Sequence, residues 1–190
     1  MEGTNWEVEV DGGKVPVWVS AEPGEWTVVL AHGAGSHAGH KTVLWLADRL
    51  TATGAQVVRF DFLYRAEGKS LPDRMPKLTE TYAAVLASVR QRLSPTTLVA
   101  AGHSMGGRVA TVLAIRVPVL QLSGTRDEFC DPERMRAVHS RLDPQTYRLH
   151  WLEGADHSYG VRRDSGRTRA DLATEIEGAI RQWRSDALAC

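Results

Sequence analysis

The sequence is poor in cysteine. It has two in 190 residues, Cys130 and the terminal Cys190, too few for a disulfide framework. Neither sign of charge is in excess, with 23 Lys and Arg against 23 Asp and Glu, which argues against an electrostatic nucleic-acid or membrane-surface partner. No apolar run approaches the ~20 residues of a membrane span, and Met1–Asn5 lacks a basic-then-apolar leader. These absences set the expectation of a cytoplasmic, reduced protein that binds neither nucleic acid nor membrane. No internal repeat, low-complexity tract or linker is visible. With 43% hydrophobic residues, the chain is expected to form one domain over residues 1–190 with a sizeable core.

What is present is an alternation of two periodicities. Trp6, Val8 and Val10 alternate with Glu7 and Glu9, and Val15, Val17 and Val19 alternate again after Asp11-Gly12-Gly13, as in a β-hairpin with one buried face. Trp26–Ala31 and Gln56–Asp61 are continuous apolar runs of the kind buried on both faces of a parallel sheet. A helical stripe of Val43, Leu46, Ala47 and Leu50 lies between them, with Gly54 suited to its C-terminal cap. A second stripe of Tyr82, Val85, Leu86, Val89 and Leu93 precedes the strand Thr97–Gly102. After a helix over Met105–Ile115, Pro118 marks the boundary to the strand Val119–Leu122. Asp131-Pro132-Glu133 reads as a helix start, and Tyr147–Leu152 as a last strand. Thr168–Asp171 resembles a capping box ahead of Leu172, Ile176, Ala179, Ile180 and Trp183. Strands alternating with helices predict a doubly wound α/β sheet.

At the strand-to-helix junction stands Gly102-His103-Ser104-Met105-Gly106, the Gly-x-Ser-x-Gly spacing of a nucleophile elbow. Gly102 and Gly106 lack a Cβ, so strand and helix can approach closely, and the helix start offers the Met105 N–H to an anion beside Ser104. A serine nucleophile needs a base and a group to orient that base. Asp127, after Ser123-Gly124-Thr125-Arg126, and His157, after Gly154-Ala155-Asp156, supply them in the order Ser–acid–His. Asp127 could instead serve as a capping or turn aspartate, a role for which Asp131 competes, and Asp156 is the competing acid but is sequence-adjacent to His157. A second oxyanion donor is expected at the Ala34 N–H in His32-Gly33-Ala34-Gly35, with Gly35 as the fallback. His32, His37 and His40 lack accompanying carboxylates or cysteines, so neither a metal nor an organic cofactor is expected. Arg65 and Arg74 could bind a substrate carboxylate or phosphate. Arg162, Arg163, Arg167 and Arg169 read as a solvated face, and Cys130 as a packed loop residue.

His32-Gly-Ala-Gly, the segment Arg59-Phe-Asp-Phe-Leu-Tyr with Pro72-Asp-Arg-Met-Pro76, Gly102–Arg108, Gly124–Asp127 and Ala155–His157 resemble the α/β-hydrolase superfamily. The resemblance is to its small, capless, dienelactone-hydrolase-like branch, which includes a regulatory subunit of the NSL histone acetyltransferase complex. It covers roughly residues 26 to 185 and implies a mostly parallel sheet of about seven strands with helices on both faces. It also implies esterase-type activity on a small-molecule ester or thioester. One departure stands out: Asp127 follows Ser104 by only 23 residues. A helix of roughly 16 Å, at 1.5 Å per residue, returns along one strand and leaves none for another. One strand is therefore expected to be missing after the nucleophile helix, with Val119–Leu122 beside the nucleophile strand. A missing strand could leave apolar surface open for a homodimer. It also keeps a second reading in view, a catalytically weak or inactive pseudo-hydrolase serving as an interaction module.

Overall fold

Alternating valines at the N-terminus and continuous apolar runs further on build two different kinds of strand. In the computed structural model, which describes residues 2–20, 23–113 and 117–188, β1 (Glu2–Val10) and β2 (Gly13–Ser20) form the expected antiparallel hairpin. Gly12 turns the chain with φ 86°, a conformation that glycine adopts without penalty. Val8, Val15, Val17 and Val19 are buried. By contrast, all six residues of β3 (Trp26–Ala31) are buried, as a strand covered on both faces requires. The chain forms two compact units, Met1–Ile115 and Arg116–Cys190, each taken by itself below.

The first unit holds a mixed sheet in the order β1-β2-β4-β3-β5, with β4 at Ala55–Phe60 and β5 at Leu98–Gly102. β4, β3 and β5 are parallel, and β2 runs antiparallel to β4. Helices α3 (Met75–Leu93) and α4 (Met105–Leu113) contribute Tyr82, Val85, Val89, Val109 and Ala110 to a core shared with Val17, Val29, Ala31, Val58 and Phe60. Successive strand residues point to opposite faces. Val28 and Leu30 therefore face the other side, where α1 (Lys41–Thr51) packs on β3 and β4 through Val43, Leu46, Ala47 and Leu50. A four-residue helix, α2 (Leu63–Ala66), follows β4. Asp73 Oδ2 accepts the Tyr64 N–H at its start, at 3.2 Å, which gives the Pro72–Pro76 segment a structural task.

The second unit pairs β6 (Val119–Gly124) in parallel with β7 (Tyr147–Leu152). Asp131 caps α5 (Pro132–His139), its Oδ1 accepting the Glu133 and Arg134 N–H groups at 3.0 and 3.1 Å. Thr168 and Asp171 form the reciprocal capping box at the start of α6 (Arg169–Leu188). That helix buries Leu172, Ile176 and Ile180 and packs against both strands. Among the described residues no strand intervenes between α4 and β6, and the seven strands are hydrogen-bonded as a five-stranded and a two-stranded sheet. The last turn expected for α4, at Ala114 and Ile115, and the terminal Cys190 lie outside the described residues.

Tyr82 ties the first sheet together at the strand that leads to Ser104. Its buried hydroxyl lies 2.5 Å from the Val29 carbonyl and 2.6 Å from that of Ala101, and accepts the Ala101 N–H at 2.9 Å. Burial pushes its ionisation well above the ordinary phenol range, so the group stays a neutral donor and acceptor. Tyr82→Phe leaves those backbone groups without their partner and is expected to cost about 1–3 kcal/mol. The measurement is urea denaturation, with the midpoint falling at an unchanged slope.

Candidate active site

The register of the first sheet brings three loops to one edge. Ala31 pairs with Phe60 on one side and with Gly102 on the other, so β3, β4 and β5 end level. The carboxyl ends of parallel strands are where such sheets place ligands. Ser104 follows β5 with φ 52°, a left-handed conformation that costs a residue with a side chain on the order of 1–2 kcal/mol. Its side chain is exposed. Surrounding backbone holds it there. A Cβ on Gly102 would come 2.2 Å from the Gly106 carbonyl carbon, and one on Gly106 would lie 2.6 Å from the Ala31 and His32 oxygens. The His103 N–H donates to the Ala31 carbonyl at 3.0 Å. A Cβ on Gly33 would lie 3.3 Å from that of Ser104, so the loop after β3 passes directly beside the serine.

That loop is fastened by His32, His37 and His40 together with Arg59 and Asp61. His32 is fully buried. Its Nε2 accepts the Phe62 N–H at 3.2 Å, which leaves Nδ1 to donate to the Gly33 carbonyl at 2.8 Å. Both ring nitrogens are thus committed to backbone. Burial lowers the His32 pKa and keeps the imidazole neutral. Asp61 Oδ1 accepts the Ala38 N–H at 2.6 Å, and Arg59 donates to the Ala38 carbonyl at 2.7 Å. His40 caps α1 by accepting the Thr42 N–H, and His37 accepts that of Gly39. Within the loop, the Ser36 N–H donates to the Gly33 carbonyl at 3.2 Å around Gly35 at φ 65°, and Ala34 is exposed. Beside this loop, burial raises the ionisation of Tyr64 above the ordinary phenol range.

In the second unit the acid and the base meet. Asp127 Oδ2 accepts the Nδ1–H of His157 at 2.8 Å, and its Oδ1 accepts the Phe129 N–H at 2.9 Å. A carboxylate can only accept, so Nδ1 carries the proton. The two loops are laced to each other. The Arg126 N–H donates to the Ala155 carbonyl, the Thr125 N–H to that of Leu152, and the Gly154 N–H to Thr125 Oγ1. A Cβ on Gly124 would lie 2.3 Å from the Ala155 oxygen, so only glycine permits this contact. Asp156 serves its own loop, its Oδ1 accepting the Ser158 and Gly160 N–H groups at 2.9 and 2.8 Å. Tyr159, at φ 61°, has its ionisation pushed up to about 12 by burial and then by the charge of Asp127.

Ser104, Met105 and Ala34 therefore stand in the first unit, and Asp127 with His157 in the second. The remaining candidates have local duties. Arg65 donates to the Lys69 carbonyl at 3.2 Å, and exposed Arg74 precedes α3. Arg167 pairs with Glu175 and donates to the Glu153 carbonyl. Cys130 Sγ accepts from Ser123 at 3.3 Å. Sequence reasoning missed Phe129, whose ring stacks edge-on against His157 with centroids 4.7 Å apart. Its only signal was a bulky aromatic two residues after the acid.

The sequence model of a family described as an alpha/beta hydrolase domain matches residues 24–117 and 113–185. Among solved structures, an alpha-beta serine hydrolase homologue from Coxiella burnetii is 18% identical, with a TM-score of 0.77 over 96% of this chain and 97% of that one. A lidless a/b serine hydrolase from Xanthomonas campestris is 22% identical, with a TM-score of 0.75 over 96% and 95%. Dienelactone hydrolase from Anabaena variabilis is 17% identical, with a TM-score of 0.74 over 98% of each chain. At these identities the likeness is one of fold. Among the described residues, no helix is long and apolar enough to cross a membrane.

The buried His32 couples the loop beside Ser104 to pH. Its folded pKa is lowered, whereas in the unfolded chain it titrates near the ordinary value of about 6.5. Below that value the unfolded chain binds a proton that the folded chain refuses, so stability is lost as pH falls. Thermal midpoints are expected to drop between about pH 7.5 and about pH 5.5, with a shallower slope in His32→Asn.

Proposed function

The chain belongs to the alpha/beta hydrolase domain family, and from that premise we propose that it is a serine hydrolase of carboxylesterase or thioesterase type acting on small acyl esters. Ser104 Oγ attacks the substrate carbonyl while His157 Nε2 takes its proton. Asp127 holds the Nδ1–H tautomer and stabilises the imidazolium. The Met105 and Ala34 N–H groups receive the tetrahedral oxyanion, each such donor contributing on the order of 10²–10³ in rate. Collapse expels the alcohol or thiol, protonated by His157, and leaves an acyl-enzyme. Water then repeats the sequence and releases the acid. Ala34 is the preferred second donor, with Gly35 as the fallback. No step calls for a metal or an organic cofactor.

The observation that carries this reading is the left-handed backbone of Ser104. An interaction module gains nothing from a strained, exposed serine packed in glycine, or from an imidazole whose tautomer a carboxylate fixes. The resemblance to capless hydrolases supports an open site.

Fluorophosphonate labelling, read by intact and peptide mass spectrometry, tests the assignment. One adduct is expected on the Ser104 peptide of the wild type and none in Ser104→Ala or His157→Ala. A folded wild type that takes no label would overturn the reading in favour of the interaction module. The acid is tested by two asparagines. Asp127→Asn is expected to lower kcat by about four orders of magnitude. Asp156→Asn acts only through loop geometry and is expected to cost far less, and the reverse order would reassign the acid.

A further inference from the structure

Phe129 is a large apolar side chain left 76% exposed. Scattered exposed hydrophobics are ordinary, and exposure alone says nothing. What sets Phe129 apart is how it is held. Its backbone N–H donates to Asp127 Oδ1 at 2.9 Å, and its ring stands against the His157 imidazole, with centroids 4.7 Å apart and planes at 65°. The same carboxylate thus positions the base through one oxygen and the Phe129 main chain through the other. The loop presents an apolar ring beside the base and leaves most of it in water.

We propose that Phe129 is a specificity-determining residue, the surface on which the alcohol portion of the ester packs. The inference rests on the serine hydrolase reading and assigns a side of the scissile bond. In acylation the Ser104 Oγ–carbon bond forms, the carbon–alkoxy oxygen bond breaks, and the proton held by His157 passes to that oxygen. Proton delivery requires the leaving oxygen within about 3 Å of the imidazole. The first carbons of the alcohol therefore lie next to whatever stacks on His157, while the acyl portion is directed by Ser104 and the oxyanion donors. An aromatic ring there favours an apolar, preferably aromatic, alcohol over a small one by contact and ring stacking.

The test compares kcat/KM for benzyl acetate and ethyl acetate, which vary the alcohol, and for ethyl acetate and ethyl butyrate, which vary the acyl chain. Wild type, Phe129→Ala and Phe129→Leu are measured. Both variants keep the main-chain N–H that holds Asp127, and far-ultraviolet circular dichroism with thermal melting confirms folding. The benzyl-to-ethyl ratio is expected to fall on the order of 10-fold in Phe129→Ala and by less in Phe129→Leu. The butyrate-to-acetate ratio is expected to stay put. A benzyl-to-ethyl ratio unchanged in the folded Ala variant overturns the inference, and so does a change confined to the acyl ratio. A wild type that labels with fluorophosphonate but shows no alcohol preference overturns it while sparing the hydrolase reading. A wild type that neither labels nor hydrolyses any of the three esters overturns both.

Discussion

Contact of backbone on backbone, with no side chain between, is the constraint on which the candidate site depends. At Gly102, Gly106 and Gly124 an added Cβ would fall 2.2–2.6 Å from main-chain atoms of the facing segment, well inside van der Waals contact. The two units meet the same demand separately. In the first, the glycines let β5 turn into α4 within two residues and hold Ser104 in a conformation it would not adopt in isolation. In the second, Gly124 lets the acid loop lie on the base loop so that backbone hydrogen bonds fix the spacing of Asp127 and His157. Strain at the serine is thus sustained by packing that any larger residue would abolish.

Around these contacts, most groups that look chemical in the sequence are employed as architecture. His32 spends both nitrogens on main chain, Asp61 and Arg59 grip the two polar groups of Ala38, and His40 and Asp131 cap helices. Asp156 folds its own loop. Loops at a sheet edge carry many polar backbone groups that no ladder satisfies, and short polar side chains are the usual remedy. The residues left with functional geometry are correspondingly few.

The hairpin, the buried β3, the capping box of α6 and the glycine elbow were legible in the sequence because each is written locally, as period, cap or spacing. Asp127 and His157 were legible as a pair only through their order and their position after strands. Other features depend on distant partners. The four residues of α2 carry no helical period and take their cap from Asp73, which nothing nearby in sequence announces. Tyr82 read as one more residue of an apolar stripe, yet its hydroxyl bridges two strands from sequence separations of 53 and 19 residues. Among the described residues, the pairing of seven strands into five and two is likewise a matter of ladders rather than of composition.

The contacts described around Asp127 and His157 come from residues 123–160, and those described around Ser104 from residues 31–108. The serine turn and the acid–base pair are therefore open to separate disturbance: a residue larger than glycine at 102 or 106 collides with the backbone of the first, and one at 124 with that of the second.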